Sequence, residues 1–192
     1  MSKAFRTDKA IAALTYLLDL SNGANDKYWL NKVMYYLERE SILRFGEPMF
    51  YDNLYSMPFG PVSSSVNSGI DSADQYKKQS NAWKEHITLK ENSESHDVLE
   101  ICPGNYDLLS DSEIELIEEA YEKFKDYSFF EIMNYFHTEI PEYEEVKWND
   151  NPRRKQITYK KLLTKNGYSS EEADEISKEI KYTEKLFMET YG

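Results

Sequence analysis

The run Leu109-Ser110-Asp111-Ser112-Glu113-Ile114-Glu115-Leu116-Ile117-Glu118-Glu119-Ala120-Tyr121-Glu122-Lys123-Phe124 decides the fold class. Ser110 and Glu113 stand three residues apart, just ahead of an apolar periodicity. That is the pattern of a capping box, in which hydroxyl and carboxylate satisfy free amide hydrogens at a helix start. Ile114, Ile117, Tyr121 and Phe124 then recur at helical spacing and mark the face to be buried. Glu115, Glu118, Glu119 and Glu122 line the other side, where a solvated face accounts for them. A helix with one apolar stripe needs partners, and the flanking sequence supplies them.

Downstream, Ser128-Phe129-Phe130-Glu131 repeats the box and opens a helix with Ile132, Met133 and Phe136 inward, ended by Pro141. A polar stretch from Asn149 to Lys155 leads into a helical hairpin over 156–191. Tyr159, Leu162 and Leu163 lie on its first arm, Asn166-Gly167 turns the chain, and Ser169-Ser170-Glu171-Glu172 caps the second. Ala173, Ile176, Ile180, Thr183 and Phe187 give that second arm its stripe.

Upstream, Asp8 to Leu20 reads as a helix closed by Asn22-Gly23. A second helix starts near Asp26, with Leu30, Val33, Met34 and Leu37 on one face. Glu38, Arg39, Glu40 and Arg44 are expected on its exposed side, and Gly46 with Pro48 ends it. From Met49 to Pro61 no helical period fits, so extended backbone is expected around Phe50 to Tyr55. Pro58 and Gly60-Pro61 are expected to start a short helix carrying Val62, Val66 and Ile70. Asp71 to Ala82 reads as a polar loop. His86-Ile87-Thr88-Leu89 and Val98-Leu99-Glu100-Ile101 flank the polar stretch Glu91 to Ser95, which suggests a β-hairpin. The expected fold is α+β and predominantly α-helical, a compact helical domain with a small β-hairpin and a C-terminal helical hairpin. With no repeat and no linker, a single domain over 1–192 is expected.

Composition narrows the function classes. Carboxylates outnumber Lys and Arg by 35 to 23, giving a net charge of −12. Nucleic-acid binding rests on basic side chains releasing counterions, so a general nucleic-acid binder is disfavoured. The same charge disfavours an anionic membrane surface, and no window approaches the apolar length of a membrane span. Cys102 is the single cysteine, which excludes an internal disulfide and a multi-Cys zinc site. It precedes Pro103 at a strand end and reads as a buried structural thiol. No export signal is visible, so a cytoplasmic location is expected.

No catalytic constellation is legible. His86, His96 and His137 fall in different elements without a metal-binding spacing, so no metal and no cofactor are expected. Neither a nucleophile elbow nor a phosphate-cradling loop occurs, and only 7 glycines are present. His137, at the end of an aromatic helix, is expected to cap the last carbonyls there. Phe50, Tyr51, Tyr55, Met57 and Phe59 instead form a cluster of large side chains in a non-helical segment, the composition of a protein-binding surface. The alternative is that Met57-Pro58-Phe59-Gly60-Pro61 pins a helix into the core, since Pro and Gly dictate backbone shape, and both readings hold if some rings face in and others out.

These motifs in this order resemble a known family. Tyr35-Tyr36-Leu37-Glu38-Arg39-Glu40-Ser41, then Gly46, then Tyr55-Ser56-Met57-Pro58-Phe59-Gly60-Pro61-Val62-Ser63 is similar to the signature of the SocA-like antitoxins. That family is also called the Panacea domain, and was earlier labelled GepA or phage-associated proteins. Leu109 to Glu113, Tyr127 to Glu131, and His137 with Pro141 resemble its later elements, so the likeness spans roughly 9–146. Pro58, Gly60, Pro61, Ser110, Glu113, His137 and Pro141 are its structural positions on this chain. Two departures look tolerable for packing: Tyr143 where Trp is common, and Ser63-Ser64 in place of a Pro-Ser pair.

The resemblance implies an antitoxin of a toxin–antitoxin system, which neutralises a cognate protein toxin by direct binding. In this family the toxins have unrelated folds and include alarmone-synthetase types. Some relatives act instead as proteolytic adaptors that deliver the toxin to the ClpXP protease. An enzyme reversing the toxin's effect is a third reading, with only the carboxylate-rich helix and His137 behind it.

Overall fold

The computed structural model describes residues 4–73, 81–91 and 96–191. Helix α1 (Thr7–Leu20) buries nine of its side chains, from Lys9 to Leu18. Asn22 and Gly23 then turn the chain with positive φ angles of 58° and 85°. A three-residue strand β1 (Ala24–Asp26) follows, absent from the sequence reading because three residues carry no period. Asp26 ends it and caps α2 (Lys27–Phe45), accepting the Trp29 amide at 3.0 Å.

Helix α2 is the centre of the molecule, with side chains buried from Trp29 to Arg39 and again at Ser41 and Ile42. Glu38 and Arg39, expected on the solvent side, are interior, at 0% and 7% exposed. Periodicity marks the first apolar face of a helix but cannot register a second layer of chain covering the polar one. Here two segments cover it. The loop after α2 lays Phe50 N and Asp52 N on the Glu38 carboxylate, at 2.7 and 2.8 Å. From the other end of the sequence, Asn166 meets Arg39 at 2.5 Å, and the Tyr168 hydroxyl donates to Leu43 O at 2.7 Å.

Strands β2 (Leu54–Met57) and β3 (Gly60–Ser63) form a tight hairpin, with Met57 opposite Gly60. The Gly60-Pro61 pair therefore lies in a strand and not in the first helical turn expected for it. Helix α3 (Ser64–Ser72) begins later, because its amides find their acceptor elsewhere: the Asp52 carboxylate takes Ser65 N and Val66 N at 2.7 and 3.0 Å. Pro61 sits on an edge strand, where its missing N–H costs no ladder bond. Strand β6 (Lys155–Ile157) completes this sheet on the other side of β2.

Most of the polar stretch expected as a loop over 71–82 lies outside the described residues, as does the turn 92–95. Helix α4 (Ala82–His86) leads into β4 (Ile87–Glu91), which pairs antiparallel with β5 (His96–Glu100) as the hairpin pattern predicts. Strand β1 adds itself to β5, so this second sheet runs β1-β5-β4. Trp83 of α4 rests directly on Gly69 of α3. A β-carbon there would stand 2.1 Å from the indole, so only glycine admits this packing. Cys102, expected buried, is exposed beyond the end of β5.

Helix α5 (Asp111–Phe124) starts at the Ser110–Glu113 capping box and buries Leu116, Ile117, Ala120 and Phe124. Glu113 also holds Lys9 of α1 at 2.5 Å, with both side chains about nine-tenths buried. Helix α6 (Phe129–Thr138) opens on the Ser128–Glu131 box and points Ile132 and Phe136 inward. Helices α7 (Tyr159–Lys165) and α8 (Ser170–Tyr191) form the C-terminal hairpin around Asn166-Gly167. The molecule is thus α+β and predominantly helical, with two small antiparallel sheets.

Candidate partner-binding site

The residues expected to face a partner divide in two. Phe50 and Tyr51 are completely buried, which corrects the expectation that they form part of an exposed cluster. The cause is the local backbone. Tyr51 takes a positive φ of 57°, while Glu38 anchors the amides on either side of it, so both rings turn into the core. The Tyr51 hydroxyl then donates to Glu47 at 2.6 Å. Tyr55 is partly covered by the Arg154 guanidinium, 4.8 Å above its ring. Met57 and Phe59 remain accessible, and Phe59 is 50% exposed at the tip of the β2–β3 hairpin.

Around Phe59 the fold gathers aromatic side chains from three distant stretches. Trp148 stacks edge-on at 5.0 Å and Tyr28 at 6.5 Å, and Tyr28 in turn meets Phe129 at 4.7 Å. Phe129, Phe130 and Trp148 are 48%, 72% and 58% exposed. Phe59, Phe129, Trp148 and Tyr28 surround a cavity of about 490 Å³, floored by α2 and the hairpin, which Phe130 adjoins through Phe129. Exposed aromatic clusters on this scale mark interaction sites more often than scattered single side chains do.

The floor of the cavity is polar and unusual. Lys32 is buried, yet among the described residues no carboxylate pairs with it. Its ammonium donates to Pro61 O at 2.8 Å and lies 5.0 Å over the Tyr28 ring. Burial brings its pKa down to about 7. Asn31 Oδ1, beside it on the wall, is buried without a hydrogen-bond partner. Gly60 passes over this floor with φ +94°. A β-carbon on it would come within 3.1 Å of Lys32 Nζ and 3.3 Å of His137 Nε2. Glycine is required here by conformation and by space together.

His137 does not fold back on the end of its own helix as expected. Its ring packs against Tyr143 at 4.9 Å and against Gly60, it interacts with the Phe59 main chain, and Nε2 is buried without a partner. Desolvation, and then the nearby Lys32 charge, hold it below the ordinary imidazole pKa. Lys32 and His137 approach each other across Gly60. Among the described residues no group of three or more His, Cys, Asp or Glu side chains could hold a metal ion.

The Lys32 environment gives the first prediction. Its pKa is about 7 in the folded chain against 10.5 for the free side chain, so across that interval the unfolded chain binds a proton that the native one lacks. Stability therefore rises with pH there, and the burial penalty is fully present below pH 7. Glu38 works in the opposite sense: burial raises it to about 8, so its contribution falls as pH rises from 4.5 to 8. Above pH 8 the lysine acts alone of the two. Urea titrations at about pH 8 and 10 should show the wild type gaining on Lys32→Met by ~1.4 kcal/mol per pH unit. A constant gap would mean that the ammonium stays protonated.

The sequence profile described as "Antitoxin SocA-like, Panacea domain" matches residues 30–143, more than half of the chain. The chain belongs to this family. No curated protein and no solved structure matches it. The matched Panacea segment supplies the cavity floor, with Lys32, Gly60 and the hairpin, together with Phe59 and Phe129. Tyr28, Trp148 and Arg153 of its rim lie outside that segment. Sequence reasoning missed Trp148, Phe129, Phe130 and Lys32. A signal existed for Phe130: it precedes Ile132 by two positions, about 200° around the helix, so it faces away once Ile132 and Phe136 face inward. Trp148 lies in a non-periodic segment and carried no such signal. Among the described residues no helix is long and apolar enough to cross a membrane.

Proposed function

We propose that this Panacea protein is an antitoxin that neutralises a protein toxin by holding it directly at the Phe59–Trp148 cavity. The observation that carries the reading is the half-exposed aromatic collar around that cavity, on a chain of an antitoxin-like family. Aromatic side chains bring large contact area at low entropic cost, which suits them as anchors for a partner. The acidic surface, at net charge −12, favours encounter with a basic protein in the cytoplasm. We take residues 1–192 to act as one unit, because Arg39, Glu142 and Asn166 tie the matched segment to the C-terminal hairpin. No catalytic step is part of this reading.

Co-expression with a toxin encoded beside it should restore growth, and the two chains should co-purify in equal amounts. Rescue without capture would sink direct binding. Rescue accompanied by a shortened toxin half-life, reversed on deleting ClpXP, would replace it with proteolytic delivery.

A further inference from the structure

The cavity has a chemical character of its own, distinct from that of the molecule around it. Four charged side chains line it, and three are basic: Lys27, Lys32 and Arg153, against the single acid Asp26. The whole chain is the reverse, with 35 acids to 23 Lys and Arg. The acid is already engaged, since Asp26 accepts the Trp29 amide as the α2 cap. Lys27 is engaged too, through its ion pair with Asp71. What remains is a positive rim at Arg153 and, on the floor, a Lys32 amine that carries its proton below about pH 7. Among the described residues no carboxylate faces it, so an anion brought into this low-dielectric cavity would hold the proton on the amine.

The apolar wall settles the rest of the occupant. Phe59, Phe129, Trp148 and Met57 wall a space of about 490 Å³, ample for a phenyl or leucyl side chain, with a polar floor beneath. We propose that the cavity receives an apolar side chain of the bound toxin together with an adjacent acidic residue, whose carboxylate faces the Lys32 and Arg153 side. This rests on the antitoxin reading above. It adds to that reading the chemistry of the anchor. Buried Asn31 Oδ1, an acceptor without a donor, suits the main-chain N–H of such a segment once the hairpin tip adjusts to it.

A small mimic tests the chemistry without the toxin. 3-Phenylpropionate carries the apolar ring and the carboxylate, and 3-phenylpropionamide is its neutral counterpart. Titrations followed through the Trp148 indole N–H should show the acid binding about tenfold more tightly, the equivalent of ~1.4 kcal/mol. The preference should fall to less than about threefold in Lys32→Met/Arg153→Ala, and toxin capture by that variant should weaken by at least about tenfold. Circular dichroism verifies its fold, and the exposed Arg153→Ala alone serves as the second variant should the double one fail to fold.

Equal binding of acid and amide, or no saturation by either up to about 20 mM, would overturn the proposal. So would an acid preference that survives the substitutions. A preference lost on substitution with toxin capture unchanged would assign the cavity to a small acid and remove the toxin as its occupant. A wild-type chain that captures no toxin yet retains the acid preference would instead sink the antitoxin reading, and the toxin as occupant with it, while the cavity chemistry stands.

Discussion

Arg39→Met should lower stability by about 3–5 kcal/mol in urea titrations. The Glu142 carboxylate is fully buried and receives Arg39 Nε and the Tyr35 hydroxyl, both at 2.8 Å on one oxygen. Its other oxygen takes Asn166 Nδ2 at 2.9 Å. Methionine keeps the length of the arginine stem and removes the charge, which leaves a desolvated carboxylate with only neutral donors. The loss would appear as a fall in Tm of roughly 10 °C for a chain of this size. Arg39→Met combined with Glu142→Gln should cost less than Arg39→Met alone, because the stranded charge goes with the second change. A single-variant loss under about 1 kcal/mol would mean that water reaches Glu142.

Phe59→Ala and Trp148→Ala should each weaken toxin binding by about 30-fold or more, some 2 kcal/mol, while leaving the melting temperature close to wild type. Both rings are at least half exposed, so little native packing is lost with them. Their mutual contact at 5.0 Å makes the two effects coupled, and the double variant should fall short of the sum. Ile101→Ala supplies the control. It is 58% exposed in another part of the fold, beyond the end of β5, and should bind as wild type does. Calorimetry on the purified pair reads both. Wild-type affinity in Trp148→Ala would move the interface away from this cavity.

Much of the architecture was legible before any coordinate. Helices α5 and α6 announce themselves through Ser110–Glu113 and Ser128–Glu131, because a capping box is a local contract between side chain and nearby amides. The helical hairpin and the β4–β5 pair were legible for the same reason, their turns and periods lying within one stretch of chain. Strands β1 and β6 were not. Three residues give no pattern, and their hydrogen bonds come from Asp97–Leu99 and Leu54–Ser56 respectively, far away in sequence. The candidate site was half legible. The aromatic segment allowed rings facing in or out, and the structure leaves Met57 and Phe59 accessible while Glu38 draws the backbone of Phe50 and Tyr51 inward.

The sequence by itself determined a predominantly helical α+β chain, its helix starts and the family it belongs to, since each rests on short-range spacing and residue type. Only the tertiary structure decided that α2 is covered on its polar side, so that Glu38 and Arg39 became interior anchors. It also decided that Tyr28, Phe59, Phe129 and Trp148 meet over the buried Lys32. The physical reason is range: capping and periodicity act within a few residues, whereas a cavity is made by side chains whose nearness no local rule encodes.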